Sequence, residues 1–314
     1  MARSRHEPAP ILGRLMRGGF LAGAALASLL APAAPSGAWA ADSRIVTVGG
    51  SVTEIVYALG AGERLIAVDS TSYHPAAAQS LPKVGYLRQL SAEGILSVRP
   101  DLILALEEAG PPQTLVQLRD SGVRLQLLPE RFTAEGVTGK IRAVAATLGL
   151  AERGETLAAG VAADLSLVEA VLAGVRRRPK VLFLLATSRG APLASGSETA
   201  ADAMIRLSGG VNAVEGYRGY KPLSVESAVA AAPDLVLMMQ QSVDTLGGVE
   251  AVLALPSIAA TPAGAARRVF AFDGLYLLGF GPRTAHAVAE VARLLHPGLS
   301  LPALPARDGT AARP

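Results

Sequence analysis

Val84-Gly85-Tyr86-Leu87-Arg88-Gln89-Leu90-Ser91-Ala92-Glu93 opens a segment that runs on through Gly94 to Val98, Arg99-Pro100-Asp101 and the apolar stretch Leu102-Ile103-Leu104-Ala105. The order of residue types predicts an exposed turn carrying a tyrosine and an arginine, a helix capped near Ser91, a stop at Pro100-Asp101 and then a strand. The turn therefore sits at the mouth of a sheet. Later in the chain Gly219-Tyr220-Lys221-Pro222-Leu223-Ser224-Val225-Glu226, Ser227 to Ala232, Pro233-Asp234 and Leu235-Val236-Leu237-Met238 follow the same plan. Ser91 pairs with Ser224, Glu93 with Glu226, Pro100 with Pro233 and Asp101 with Asp234, all at one offset of 133, the difference between 224 and 91. One half of the chain reads as a copy of the other.

Working outward from that repeat, strands at 44–48, 64–68, 102–106 and 124–128 alternate with helices near 51–59, 113–121 and 133–148, the pattern of a largely parallel sheet covered by helices. Residues 41–150 thus form an N-terminal lobe. Leu157, Val161, Leu165, Val168, Leu172 and Val175 recur every three or four positions with no proline until Pro179. They predict one long amphipathic helix over 151–178, a rigid spine between lobes. A second lobe over 179–297 carries strands at 180–185, 235–238 and 268–272, a loop at 186–199, and helices near 200–207, 248–253 and 283–295. Residues 298–314 are proline-rich and read as a disordered tail. The fold class is α/β: two lobes with central, mainly parallel sheets flanked by helices, joined by one spine helix.

The first 40 residues read differently. Phe20 to Leu30 is a short apolar run behind Arg14 and Arg17, followed by Ala38-Trp39-Ala40, the small-x-small pattern of a secretory cleavage site. Such a run is too short to span a bilayer. Removing 1–40 takes Arg3, Arg5, Arg14 and Arg17 from the 29 bases and Glu7 from the 26 acids, leaving 25 of each. The exported chain is formally neutral, which removes the electrostatic footprint of nucleic-acid binding. Cysteine is absent. A thiol nucleophile, a thiolate-held cluster and a lipid-modified cysteine are excluded with it, so the reading is a soluble periplasmic monomer with no stable membrane insertion.

Ser51-Val52-Thr53-Glu54 fits a capping box after Gly49-Gly50. Asp69 to Pro75 forms a loop at a strand's carboxyl end, which in open α/β sheets is the ligand edge, and it puts Tyr73 and His74 on the same rim as Tyr86.

With those pieces in place, residues 44–296 resemble a periplasmic haem-binding protein of an ABC-type haem uptake transporter, in the helical-spine class of substrate-binding proteins. The resemblance is carried by Gly49-Gly50-Ser51-Val52-Thr53-Glu54, Val84-Gly85-Tyr86-Leu87-Arg88, Leu90-Ser91-Ala92-Glu93-Gly94, Gly219-Tyr220-Lys221-Pro222-Leu223-Ser224 and Gly279-Phe280-Gly281-Pro282-Arg283. It implies Tyr86 as axial ligand to haem iron in the cleft between lobes. The chemistry agrees: phenolate is one of the axial ligands proteins offer haem, a phenol of reference pKa about 10 must lose its proton to bind, and a guanidinium two residues on, Arg88, favours the anion. His74 is the rival or second ligand. Arg88, Lys221 and Arg283 are candidates for the haem propionates; Tyr73, Tyr217, Tyr220 and Tyr276 are candidates to pack its faces. His286 and His296, on the last helix, do not read as ligands. The resemblance further implies that Glu93 and Glu226, one per lobe, dock on arginines of an inner-membrane ABC permease that works with its ATPase.

An enzyme is disfavoured. No Ser-His-Asp order, metal-ligand cluster or phosphate loop emerges, and Gly196-Ser197-Glu198 lacks the nucleophile-elbow pattern. A ferric-siderophore or cobalamin carrier of the same class is the alternative; Tyr86 with Arg88 discriminates against it, since such cargo arrives with its metal already coordinated and has no use for a protein phenolate. A free-standing adhesin or sensor has no reason to duplicate a docking charge.

Overall fold

The structure, a computed structural model, describes residues 43–185 and 192–305. The segment expected to be a secretory leader, Arg189 and Gly190 of the second lobe's first loop, and positions 306–314 of the tail lie outside the described residues.

The N-terminal lobe contains β1 (Ile45–Val48), α1 (Gly50–Ala58), β2 (Leu65–Val68), a hairpin of β3 (Gly85–Tyr86) and β4 (Gln89–Leu90), α2 (Ala92–Ser97), β5 (Leu102–Leu106), α3 (Pro112–Asp120), β6 (Arg124–Leu128) and α4 (Ala134–Leu148). Its sheet is ordered β2-β1-β5-β6 and every pairing is parallel. α5 (Ala151–Leu172) then leads to β7 (Lys180–Leu185), β8 (Leu193–Ser195), α6 (Ala200–Leu207), β9 (Val211–Asn212), β10 (Tyr220–Pro222), α7 (Val225–Ala231) and β11 (Leu235–Met239). α8 (Gln240–Leu246), α9 (Val249–Leu253), α10 (Pro256–Ala259), α11 (Pro262–Ala265), β12 (Val269–Phe272), α12 (Gly274–Leu278) and α13 (Thr284–Leu295) complete the second lobe. Its sheet runs β10-β8-β7-β11-β12, parallel through β7, β11 and β12, with β8 and β10 antiparallel at one side.

The repeat in the sequence is a repeat of the backbone. α2 and α7 both begin at N-cap serines: Ser91 Oγ accepts from Gly94 N at 3.2 Å and Ser224 Oγ accepts from Ser227 N at 3.1 Å. Both helices are followed by a residue in the left-handed region, Arg99 (φ 50°) and Ala232 (φ 45°). Asp101 accepts from Arg44 N and Asp234 from Lys180 N, each at 2.8 Å, tying the start of one strand to the start of its neighbour. β5 and β11 follow, fully apolar and central in their sheets, as parallel strands buried on both faces must be.

The spine is shorter than the periodicity suggests. α5 has 22 residues, about 33 Å at the helical rise, and ends at the Ala173 cap, before Gly174 and the basic run at 176–178. One face presents Leu157, Ala158, Val161, Leu165 and Val168 to α4 and α13. Each fully buried Leu or Val there stabilises by about 1.5–3 kcal/mol. Gly154 lets α5 approach α4: a Cβ at that position would stand 2.2 Å from Ala145 Cβ. One continuous apolar core runs from β1 through the spine to α13, and a smaller one fills the other face of the second sheet under α7, α9 and α10. The tail expectation fails in part, because Leu299, Leu301 and Leu304 pack against the main core.

Three further expectations are corrected. Ser51 and Glu54 do not form a capping box: α1 starts at Gly50 with Gly49 as its cap and no side-chain cap bond, so both residues lie inside the helix and are free for other partners. The loop 186–199 contains β8, and residues 273–282, expected from the sequence to form a loop ahead of the last helix, contain α12, whose N-cap Asp273 accepts from Tyr276 N at 2.8 Å. Among the described residues no helix is long and apolar enough to cross a membrane.

Candidate functional site

The carboxyl ends of both sheets open onto one cleft of about 850 Å³, near the upper end of the range for small-molecule sites, roughly 300–1,000 Å³. Its walls are largely apolar, with Leu106 and Phe132 on one lobe facing Leu193, Met239, Leu275 and Leu278 on the other. The helix starts Gly49-Gly50 and Thr199-Ala200 also border it.

The hairpin β3-β4 stands at the mouth. β3 starts with a positive φ at Gly85 (109°), and Val84, Leu87 and Leu90, three apart, are buried while Tyr86 is 41% exposed on the cleft lining. Backbone bonds hold the hairpin on two sides: Ser70 N to Gly85 O at 2.8 Å, Gly110 N to Leu87 O at 2.9 Å, and Leu90 N to Gly110 O at 2.8 Å. Arg88 Nη1 donates to Tyr86 Oη at 3.0 Å, and Arg88 Nη2 donates to Glu108 Oε2 at 2.5 Å. Tyrosine, arginine and glutamate thus form a short chain of charge-assisted contacts on the cleft wall.

Of the other expected residues, Tyr73 and Tyr220 line the same cleft. Tyr73 Oη accepts from Leu275 N at 2.7 Å and from Gln241 Nε2 at 3.3 Å, so this phenol bridges the lobes. Burial, with the negative charge of Asp273 beside it, pushes Tyr73 up to about 12. Tyr220 faces the hairpin from the opposite lobe, its ring 6.3 Å from that of Phe183, and burial raises its phenol above the ordinary value.

Several candidates are not brought to the cleft. Arg283 is 4% exposed and committed to Glu54, with Nε to Oε2 at 3.1 Å and Nη2 to Oε1 at 2.5 Å, while its guanidinium lies over the Tyr276 ring at 5.1 Å. Both residues are interlobe structure, because the α12–α13 connection folds back against α1. Lys221 is exposed and lies over the Tyr217 ring at 4.9 Å, and Tyr217 Oη donates to Ala194 O at 2.9 Å, away from the cleft walls. His74 sits next to Tyr73 but is not among the lining residues.

Sequence reasoning missed Glu108, Glu130 and Lys140. Lys140 is buried, with Nζ 2.7 Å from both oxygens of Glu130 and 3.0 Å from Ser51 Oγ, and Glu130 reaches the cleft wall. Burial lowers Lys140 against the pull of Glu130, and burial raises Glu130. The signal for Glu108 was present: it follows a strand's carboxyl end, the same rule that placed Tyr73.

Glu93 and Glu226 are both exposed in the first turns of α2 and α7, at equivalent places on the two lobes. Glu226 is held below the usual carboxylate range by its own backbone N–H and by Ser224.

A two-lobed α/β body on a helical spine, with a ligand-sized cleft at the carboxyl ends of both sheets, defines a substrate-binding protein. The chain belongs to the periplasmic binding protein family, whose model matches residues 45–275, a family of binding proteins for transport and not of enzymes. It is similar to the periplasmic heme-binding protein RhuT of Roseiflexus sp. RS-1, at 42% identity over 81% of this chain and 98% of that one, with a TM-score of 0.78. It is also similar to the periplasmic heme-binding protein BhuT in complex with two hemes, at 45% identity over 81% and 97% of the two chains, with a TM-score of 0.77. A vitamin B12-binding protein of Pectobacterium carotovorum is 34% identical over 108 residues, 34% of this chain and 39% of that protein.

Proposed function

We propose that this protein binds ferric haem in the interlobe cleft, with the Tyr86 phenolate on iron, and hands it to an inner-membrane ABC permease. The observation that carries the reading is the Arg88 hydrogen bond to Tyr86 Oη at the mouth of a large apolar cleft. A ferric centre favours a hard anionic oxygen, and a donated N–H stabilises that oxygen in its deprotonated form. The apolar walls suit the porphyrin faces, with Tyr220 on the lobe opposite. Likeness to two periplasmic heme-binding proteins at 42% and 45% identity supports the same cargo.

Among the residues first assigned to propionates, Arg88 is the one at the cleft; Arg283 and Lys221 have other partners. Glu93 and Glu226 present one carboxylate per lobe for arginines on the permease, which would couple loading to delivery. The mature protein is then a periplasmic monomer, released after leader cleavage and not anchored to lipid.

A cobalamin carrier is the second reading, favoured by the vitamin B12-binding relative. Cobalamin brings its own axial ligands, and a tyrosine poised by an arginine would serve no purpose for it. Titrating the purified chain with ferric haem and, separately, with cyanocobalamin decides between them. The haem reading predicts a saturable change in the Soret region and no uptake of cobalamin; the reverse pattern overturns it.

A further inference from the structure

Arg88 alone is a poor device for holding a hydrogen bond on Tyr86. Its side chain is 53% exposed in the turn between β3 and β4, and a long solvated guanidinium samples many rotamers. Glu108 removes that freedom. Its Oε2 accepts from Nη2 at 2.5 Å while Nη1 donates to Tyr86 Oη at 3.0 Å, and because the guanidinium is rigid and planar, fixing one arm aims the other. Glu108 itself is set by a firm frame. It follows β5, the central strand; its neighbour Glu107 accepts from Glu130 N at 3.0 Å and from Arg131; and Gly110 clasps the hairpin through Leu87 and Leu90. Arg88 and Glu108 line the same cleft as Tyr86 and, on the opposite lobe, Tyr220, so the pair borders the ligand space rather than bulk solvent alone.

We infer that Glu108 is a positioning residue for cargo binding: it orients Arg88 so that the guanidinium stabilises the Tyr86 phenolate on ferric iron. This rests on the haem reading above. It differs from an ordinary surface ion pair, which contributes little to stability in either case. Glu108 acts through Arg88, so its effect vanishes when Arg88 is absent, and its removal changes the iron ligand field without changing folding stability.

The test uses the full mature chain loaded with ferric haem, as wild type, Glu108→Ala, Glu108→Gln, Arg88→Ala and the Arg88→Ala/Glu108→Ala double variant. Haem transfer to excess apomyoglobin gives the off-rate, and the visible charge-transfer bands report the tyrosinate ligand. Glu108→Ala should accelerate transfer by about 10-fold or more, the scale of losing an outer-sphere partner of a metal ligand, and shift the charge-transfer bands. Glu108→Gln, whose amide oxygen still accepts from Nη2, should fall between it and wild type. In the Arg88→Ala background Glu108→Ala should add nothing. Urea unfolding of the haem-free single variants should match wild type. A Glu108→Ala protein with the off-rate and spectrum of wild type overturns the proposal alone, as does an equal acceleration with and without Arg88. A wild-type chain that takes up no ferric haem overturns the haem reading together with it.

Discussion

Glu54 and Arg283, 229 positions apart in the chain, form a buried two-point ion pair that joins α1 of the N-terminal lobe to the start of α13 in the second. Phe132 and Phe280 pack beside it across the same boundary, with ring centroids 5.1 Å apart. The lobes are therefore fastened by the spine, by this latch and by the Tyr73 phenol, which accepts from Leu275 and Gln241.

Breaking the pair on one side strands a buried charge. Glu54→Ala should lower the free energy of unfolding by about 3–5 kcal/mol, read from urea denaturation, whereas Glu54→Leu with Arg283→Met should recover most of the loss. A Glu54→Ala protein as stable as wild type would show that the guanidinium finds water or another partner.

Tyr73 makes the fold sensitive to alkali. Its phenol is raised from the ordinary 10 to about 12 by burial and by Asp273. As pH rises the unfolded chain releases that proton first, so Tyr73's contribution is complete below about pH 10 and is lost between about 10 and 12. Urea midpoints measured across pH 9 to 12 should fall more steeply for wild type than for Tyr73→Phe. Parallel curves would contradict the assignment.

The parts of this fold that were legible in sequence are those where a local pattern has one structural outcome. Serine caps, Pro-Asp stops and fully apolar strands at an offset of 133 defined both lobes, and β5 and β11 lie where that repeat put them. The contact of Tyr86 with Arg88 was legible because a residue at the end of one strand and one two positions on, in a tight turn, can touch. What escaped depends on contacts between distant segments. Ser51 and Glu54 have the spacing of a capping box, yet Lys140 and Arg283 claim them from 89 and 229 positions away. Arg283 sits in a motif rich in glycine, which reads as a ligand loop until the structure shows its guanidinium turned inward onto Glu54. The strand end that precedes Glu108 marks the ligand edge for Glu107 and Glu108 alike, and sequence does not say which of two adjacent glutamates faces the cleft.

Delivery should depend on Glu93 and Glu226 together. Glu93→Lys with Glu226→Lys should reduce permease-dependent haem transport at least tenfold while leaving haem affinity unchanged, because both carboxylates are exposed and distant from the cleft walls. Transport that survives the double reversal would remove them as docking charges.

A spine of 22 helical residues and a buried latch leave little freedom for domain closure. Small-angle scattering should show a change in radius of gyration below about 1 Å on adding haem, on the scale of roughly 20 Å for a body of this size. A marked contraction would mean that the latch opens and closes.

The central claim is that the Tyr86 oxygen holds the iron. Absorption spectra of the ferric-haem complex should show five-coordinate, high-spin haem with tyrosinate charge-transfer bands in wild type and in His74→Ala, and should lose those bands in Tyr86→Phe. An unchanged spectrum in Tyr86→Phe, or its loss in His74→Ala instead, would contradict the account.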